Sequence, residues 1–237
     1  MNINRLSRRL QTVVKYIPEG SRIADIGSDH AYLPCHVVKN GHVPFAIAGE
    51  VVEGPFQSAK KQVQSEGLLN QVEVRKGDGL EVIAPGEVDC VTIAGMGGAL
   101  IASILDNGTD KLEGVKRLVL QPNISAISIR LWLMEHGWEL IGEEILEEDG
   151  KIYEVLVAEL GDPLRPYDKS HLQSLLLMGP FLASKKDVPF IKKWKSEADN
   201  WKRIIENLDN AANTPENEEK KRELQEKIQM VEEVMGK

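Results

Sequence analysis

Asp25, Gly27 and Asp29 stand at alternate positions in "SRIADIGSDHAYLP", residues 21–34. An apolar run that ends in a glycine reads as a β-strand entering a ligand-binding turn. A dinucleotide site at such a turn uses Gly-x-Gly-x-x-Gly, so that bare backbone and a helix amino terminus can approach a pyrophosphate. Here Gly27 supplies only the first glycine, and Asp29 occupies the second position, where a carboxylate crowds and repels a diphosphate. NAD- or FAD-dependent chemistry is therefore disfavoured. A cationic ligand suits an acidic turn, and S-adenosylmethionine, with a sulfonium and an ammonium against one carboxylate, is such a ligand.

Two further acids close the next apolar runs, Glu50 after "FAIAG" and Asp78 in "KGDGL". Open α/β sheets bind ligands outside the carboxyl ends of their strands, so Asp25, Glu50 and Asp78 on three successive strands converge on one crevice. Asp25 can take an amino group directly or through water, and Gly27 lets the backbone approach the methionine part. Glu50 can accept both ribose hydroxyls, and Asp78 can accept from the adenine amino group. Taken singly, these acids have plainer uses: Asp25 or Asp29 as a helix N-cap, Glu50 as an exposed loop charge. The fourth run ends in "AGMGG", without the Asn/Asp-Pro-Pro-aromatic turn with which amino-group methyltransferases grip an exocyclic amine. Gly95, Gly97 and Gly98 instead leave an open backbone floor, or form a glycine-rich turn that admits the next helix. Met96 and Gly97 complete the expected cofactor-binding set. In "QPN", Gln121 and Asn123 carry amides able to hydrogen-bond a base edge, with Pro122 fixing the bend.

The elements that must position these residues follow from the apolar pattern. "RIADIG", "FAIAGE", "VEVRKG", "VDCVTIAG" and "KRLVLQP" alternate with helix-length polar stretches, which implies a parallel sheet with covering helices. "WELIGEEILEEDGKIYEVLVAEL" reads as a β-hairpin turning at Asp149-Gly150. Leu6, Leu10, Val13 and Ile17 define an amphipathic first helix, its arginines on the other flank. "GDPLRPYD" reads as a linker. Beyond it Ile191, Trp194, Ala198, Trp201, Ile205, Leu208 and Ala212, then Leu224, Ile228, Val231 and Met235, form the seam of an antiparallel helical hairpin. The seam position of the tryptophans favours packing over base stacking.

Of 237 residues, 42% are apolar and 28% charged, which excludes wholesale disorder. The net charge of −8 argues against indiscriminate nucleic-acid binding, yet two basic islands interrupt it. Residues 1–22 carry Arg5, Arg8, Arg9, Lys15 and Arg22 against Glu19, and residues 185–203 include Lys192 and Lys193; each stretch nets +4. Cys35 and Cys90 lack metal-site spacing and read as buried small apolar residues. His30, His36 and His42 fall on different faces, so no metal is expected. With no secretory leader and no run long enough to span a bilayer, a soluble cytoplasmic protein without membrane contact is expected.

The blocks "LSRRLQTVVKYIP", "ADIGSDHAYLPC", "IAGE", "GPFQSAK", "GDGLEVI", "TIAGMGGALI", "LVLQPN", "EEDGKIYEVLVAE" and "MGPFLA" resemble the bacterial TrmK family, which methylates N1 of adenosine 22 in the D-arm of tRNA. That resemblance implies an α/β fold: a class I (Rossmann-like) S-adenosylmethionine-dependent methyltransferase with a seven-stranded mixed sheet, over residues 1–160. A C-terminal α-helical, coiled-coil-like domain is expected over 161–237. By the same resemblance the cofactor residues fall on Asp25, Gly27, Glu50, Asp78, Gly79 and Gly95. Adenine N1 carries its own in-plane lone pair, so alignment matters more than a general base. Asp29 is the first candidate to stabilise the positive charge of the methylated base, with His30 and Tyr32 shaping the pocket or stacking, or His30 capping the next helix. Extracting the base costs a few kcal/mol, which phosphate contacts from Arg5, Arg8 and Arg9, and secondarily Lys192 and Lys193, can offset. A monomer is expected. Methylation of another RNA or a small molecule, and RNA binding without catalysis, are the readings left open.

Overall fold

In the computed structural model, which describes residues 3–210 and 214–236, the five apolar runs become β1 (Arg22–Ile26), β2 (Phe45–Glu50), β3 (Val72–Lys76), β4 (Cys90–Gly97) and β5 (Arg117–Ile124). The hairpin is β6 (Trp138–Glu148) and β7 (Lys151–Leu160). All seven lie in one sheet in the order β3-β2-β1-β4-β5-β7-β6. β1 to β5 are mutually parallel, and β7 runs antiparallel to β5 and β6. The chain order therefore reverses between β1 and β4, which puts the ends of β1, β2 and β4 around the switch point where a ligand crevice opens. Parallel strands are covered on both faces, and the continuous burial of Ile23 to Ile26 and of Ala46 to Glu50 reflects that. Asp149 and Gly150 both have positive φ, as a two-residue hairpin turn between right-twisted strands requires.

The covering helices are α1 (Arg8–Tyr16), α2 (Tyr32–Lys39), α3 (Glu53–Ser65), α4 (Gly98–Asn107) and α5 (Ala126–Glu135). One face of the sheet is closed by a cluster that joins Leu10, Val13 and Ile17 to Leu33, Val37, Val63, Cys90, Val119, Leu146 and Val155. Complete burial of a side chain such as Val13 contributes roughly 1.5–3 kcal/mol. Helix α1 is also held by charge. Ser7 Oγ accepts the Leu10 N–H at 3.3 Å, and the two carboxylate oxygens of Glu148 accept the Arg8 and Arg9 N–H groups at 2.6 and 3.1 Å. An anion at a helix amino terminus is favoured by the orphan N–H groups and by the dipole. At the other end Glu144 accepts from Lys15 Nζ at 2.6 Å and from the Tyr16 hydroxyl at 2.8 Å. The acidic hairpin is thus the dock for the basic first helix.

The chain divides into units Met1–Arg165 and Pro166–Lys237, five residues beyond the step expected at 160/161. The second unit contains α6 (Leu172–Met178), α7 (Pro180–Lys185), α8 (Val188–Asp209) and α9 (Pro215–Met235). Ion pairs Lys202–Glu232 and Lys221–Asp209 place α8 and α9 antiparallel. Trp194, Ala198, Leu224 and Val231 are buried on the seam, while Trp201, Ile205, Leu208, Ile228 and Met235 are half-buried. Ala212, expected on the same seam, lies outside the described residues. Trp194 packs against Phe190 and Trp201 with ring centroids 6.3 Å apart in each pair, so these rings serve packing. The short helices α6 and α7 were not foreseen. No helix of the described residues is long and apolar enough to cross a membrane.

Candidate active site

The turn after β1 is strained by design. Gly27 has φ +66°, and Asp29, His30 and Ala31 follow with φ of +38°, +40° and +52°. Three consecutive non-glycine residues in the left-handed region cost of order 1–3 kcal/mol each and persist only where the surroundings over-determine them. Those surroundings are visible. Gly27 and Ser28 both donate their N–H to the Gly49 carbonyl, at 2.9 and 3.1 Å, and the Asp29 N–H donates to Glu50 Oε1. Three backbone donors that a pyrophosphate would need are thereby spent on β2, an obstacle to dinucleotides beyond the charge of Asp29. Ala31 is the N-cap of α2, with no side-chain capping bond, so neither Asp25, Asp29 nor His30 caps that helix.

Asp25 lies 4% exposed beneath this turn. Its carboxylate accepts from the Ser28 and Thr92 hydroxyls, each at 2.6 Å, and burial outweighs both bonds to raise its pKa to about 6. Glu50 is 6% exposed, and burial raises its pKa too, against the Asp29 N–H that favours its charged form. Asp78 begins the short turn after β3, where Glu81 accepts its N–H at 3.1 Å, and Gly79 follows with φ +52°.

Two cavities flank Gly27. The larger, about 150 Å³, is lined by Glu50, Asp78 and Gly79 with apolar walls from Val51, Met96, Leu100 and Ile104. The smaller, about 70 Å³, is lined by Arg9, Leu10, Asp25, Ser28, Asp29, Tyr32, Leu33 and Ala94. Met96 lines the larger one, and a Cβ built on Gly27 would meet its terminal methyl, which would have to move. The positive φ of Gly27 favours glycine there as well. On the outer rim Asp29 is well exposed, 3.5 Å from His30 Nε2, and the His30 and Tyr32 rings stack with centroids 5.3 Å apart.

Gln121 is committed to other bonds than the base edge expected of it, while Asn123 stays exposed. Gln121 is fully buried; its Oε1 accepts the Gly95 N–H at 3.0 Å and an Arg9 Nη1 donor, while its Nε2 donates to the Pro122 carbonyl at 2.8 Å. Asn123 donates to the Gly95 carbonyl at 2.7 Å. The two amides therefore clamp both polar groups of the Gly95 peptide, and the buried one is not free for a base edge. The clamp is needed because β4 bulges there: Ala94 pairs with Gln121 and Met96 with Pro122, leaving Gly95 out at φ +83°. Gly98 has a packing role, since a Cβ there would collide with the Ser125 carbonyl. Gly97 has open room by comparison.

The basic residues separate. Arg5 and Arg8 are exposed, but Arg9 is half-buried with its guanidinium 5.5 Å from the Tyr153 ring centroid and bonded to Gln121. Arg9 lines the wall of the smaller cavity. In the second unit Lys192 is exposed and Lys193 lies over Trp194 at 4.9 Å. His36 and His42 bind the carbonyls of Ile3 and Ile17 at 2.6 and 2.8 Å, pinning the chain on either side of α1. No group of three metal-binding side chains occurs among the described residues.

A family model described as "TrmK: tRNA (adenine(22)-N(1))-methyltransferase" matches residues 23–233. The chain belongs to this family. A TrmK relative from Bacillus subtilis (strain 168), named tRNA (adenine(22)-N(1))-methyltransferase, is 55% identical over 235 residues, covering 99% of both chains. The crystal structure of the B. subtilis TrmK enzyme matches with a TM-score of 0.94 at 55% identity, over 98% of this chain and 99% of that one. A Streptococcus pneumoniae protein solved in complex with S-adenosyl-L-methionine matches at 0.85 and 41% identity, over 98% of this chain and all of that one.

Within this TrmK chain, the residues missed at the outset are Ser28 and Thr92, which hold Asp25, and Leu100 with Ile104, which wall the larger cavity. The last pair had a visible mark: two large apolar residues four apart at the start of a helix that follows a glycine-rich turn.

Proposed function

We infer that this chain transfers the methyl group of S-adenosylmethionine to N1 of adenosine 22 in tRNA, as the named activity of its B. subtilis relative states. The observation that carries the reading is the convergence of Asp25, Glu50 and Asp78, three acids at the ends of three adjacent strands, on cavities that meet at Gly27. S-adenosylmethionine supplies, when bound, a methyl group on a cationic sulfur. The residues present fit it. Glu50 lines the larger cavity with a carboxylate that can accept from ribose hydroxyls and also holds the turn, Asp78 stands beside a slot with apolar walls suited to adenine, and Asp25 faces the smaller cavity with a buried carboxylate.

The protein has little proton chemistry to do, because the adenine lone pair is already nucleophilic. Its task is to hold the base in line and to accept the positive charge that methylation creates. Asp29 is the proposed acceptor of that charge, on the exposed rim. His30 and Tyr32, already stacked on each other, are the proposed platform for the extracted base. Arg5 and Arg8, with Lys192 and Lys193, are proposed as phosphate contacts. The protein is proposed to act as a monomer in the cytoplasm, with S-adenosylmethionine as cofactor and no metal.

Incubating the purified protein with methyl-labelled S-adenosylmethionine and two tRNA transcripts, adenosine or guanosine at position 22, tests this. Label as 1-methyladenosine in the first transcript alone is expected. Equal labelling of both, or labelling of neither, refutes it.

A further inference from the structure

Nine large apolar side chains stand exposed among the described residues, and four of them gather at one edge of the sheet. Val51 and Val52 follow β2, Leu100 lies in the first turn of α4 after β4, and Ile124 is the last residue of β5. That edge carries the carboxyl ends of the parallel strands, where the crevice opens. Single exposed apolar residues need no explanation, but a group around a site does. Val51 and Leu100 wall the larger cavity. Ile124 walls neither of the two cavities and is 72% exposed.

The fold holds Ile124 there firmly. Pairing of β4 with β5 runs past the bulge at Gly95 and ends with Gly97 opposite Ile124, whose Cγ1 lies 3.8 Å from where a Cβ on Gly97 would stand. The missing Cβ of Gly98 lets the Ile124 and Ser125 carbonyls pack against the start of α4. Ser125 then takes φ +57°, a left-handed conformation that a non-glycine residue keeps only where its neighbours enforce it. On the other side Asn123 donates to the Gly95 carbonyl at 2.7 Å, and Gly95 in turn leaves room for Arg9 of the smaller cavity. A branched apolar side chain is thus fixed at the mouth of the crevice on a backbone with little freedom.

N1 of a stacked adenine is out of reach, so the base must leave its stack, at the cost of the contacts it made there. Isoleucine has neither charge nor hydrogen-bonding group, so it can grip neither a phosphate nor a base edge. It can fill a gap between base faces, as apolar wedges do in other nucleic-acid complexes. We propose that Ile124 is such a wedge, entering the tRNA stack in the gap left by the extracted adenosine 22 and so holding the base in the crevice. This role rests on the tRNA reading above.

Two transcripts test it: one with adenosine 22 in its native surroundings, and one with an abasic residue opposite it, so that the base is already loose. Single-turnover methylation is measured on both with wild type, Ile124→Ser, Ile124→Leu and Leu69→Ser, the last altering a residue of similar exposure at the amino end of β3. A third transcript with 2-aminopurine at position 22 reports extraction by its fluorescence. Calorimetry with S-adenosylhomocysteine and thermal unfolding check the cofactor site and the fold.

Ile124→Ser should slow methylation of the first transcript about tenfold, the loss that matches leaving one isoleucine unburied, and should lose most of the fluorescence rise. On the second transcript it should keep close to the wild-type rate. Ile124→Leu should recover most of the loss, Leu69→Ser should match wild type, and S-adenosylhomocysteine affinity should be unchanged throughout. Equal slowing on both transcripts would overturn the proposal, since a wedge is dispensable once the base is loose. An unchanged rate on the first transcript, or a weakened S-adenosylhomocysteine affinity, would overturn it too. Wild-type protein that methylates neither transcript would refute the tRNA reading itself, and the wedge with it.

Discussion

Replacing Asp25 by asparagine should make the protein more stable and its cofactor site worse. In the folded chain Asp25 has a pKa of about 6 against 3.8 ordinarily, because burial outweighs the bonds from Ser28 and Thr92. The sign follows from linkage. Below about pH 3.8 the carboxyl is protonated whether folded or unfolded; between 3.8 and 6 only the unfolded chain gives up the proton, so stability falls as pH rises. Above 6 the loss is complete, and the displacement corresponds to about 3 kcal/mol. Asp25→Asn removes the charge at nearly constant shape, and the two hydroxyls can rotate to serve an amide. In urea titrations at pH 7.5 the variant should therefore be more stable by about 1–3 kcal/mol, with the gain shrinking towards zero near pH 4. Calorimetry should show S-adenosylhomocysteine weakened at least about tenfold, since the buried charge is the proposed partner of the ligand's ammonium. In the wild type the same affinity should fall as pH drops through about 6. A variant less stable than wild type at pH 7.5, or equally stable at every pH, would refute the reasoning, and so would unchanged ligand affinity.

Glu50→Gln should weaken S-adenosylhomocysteine binding about tenfold or more by calorimetry, as the carboxylate is the proposed ribose ligand and holds the Asp29 N–H in the strained turn. Asp29→Ala should lower kcat more than cofactor affinity in single-turnover assays; equal losses would make Asp29 a cofactor ligand instead. Arg8→Glu should cut tRNA affinity and flatten its salt dependence in filter binding while cofactor affinity stays within about twofold. Gly98→Ala should destabilise by more than about 2 kcal/mol in denaturant titration, because its Cβ meets the Ser125 carbonyl rather than a movable side chain.

Strand identity and order were legible because parallel strands buried on both faces leave unbroken apolar runs, and because Asp149-Gly150 can turn in few ways. The crevice was legible through Asp29, whose charge in place of a glycine excluded one ligand class and admitted another. Arg9 was not. An arginine on the polar flank of an amphipathic helix looks alike whether it meets water or a cavity, and the residue that decides, Gln121, is 112 positions away. Arg130 shows the same limit: it lies on α5 among apolar neighbours, wholly buried, and donates to Glu143 and Glu154 from two strands. Spacing picked out the buried Trp194, Ala198, Leu224 and Val231 of the helical pair, but not the shallower burial of Ile191, Trp201, Ile205, Leu208, Ile228 and Met235, since two helices cover only the line along which they touch.

The contacts between Glu148 and the start of α1 join the first helix to a strand made some 140 residues later. During synthesis the opening segment leaves the ribosome long before its acidic berth exists, so the first helix can make these contacts only after β6 has been synthesised.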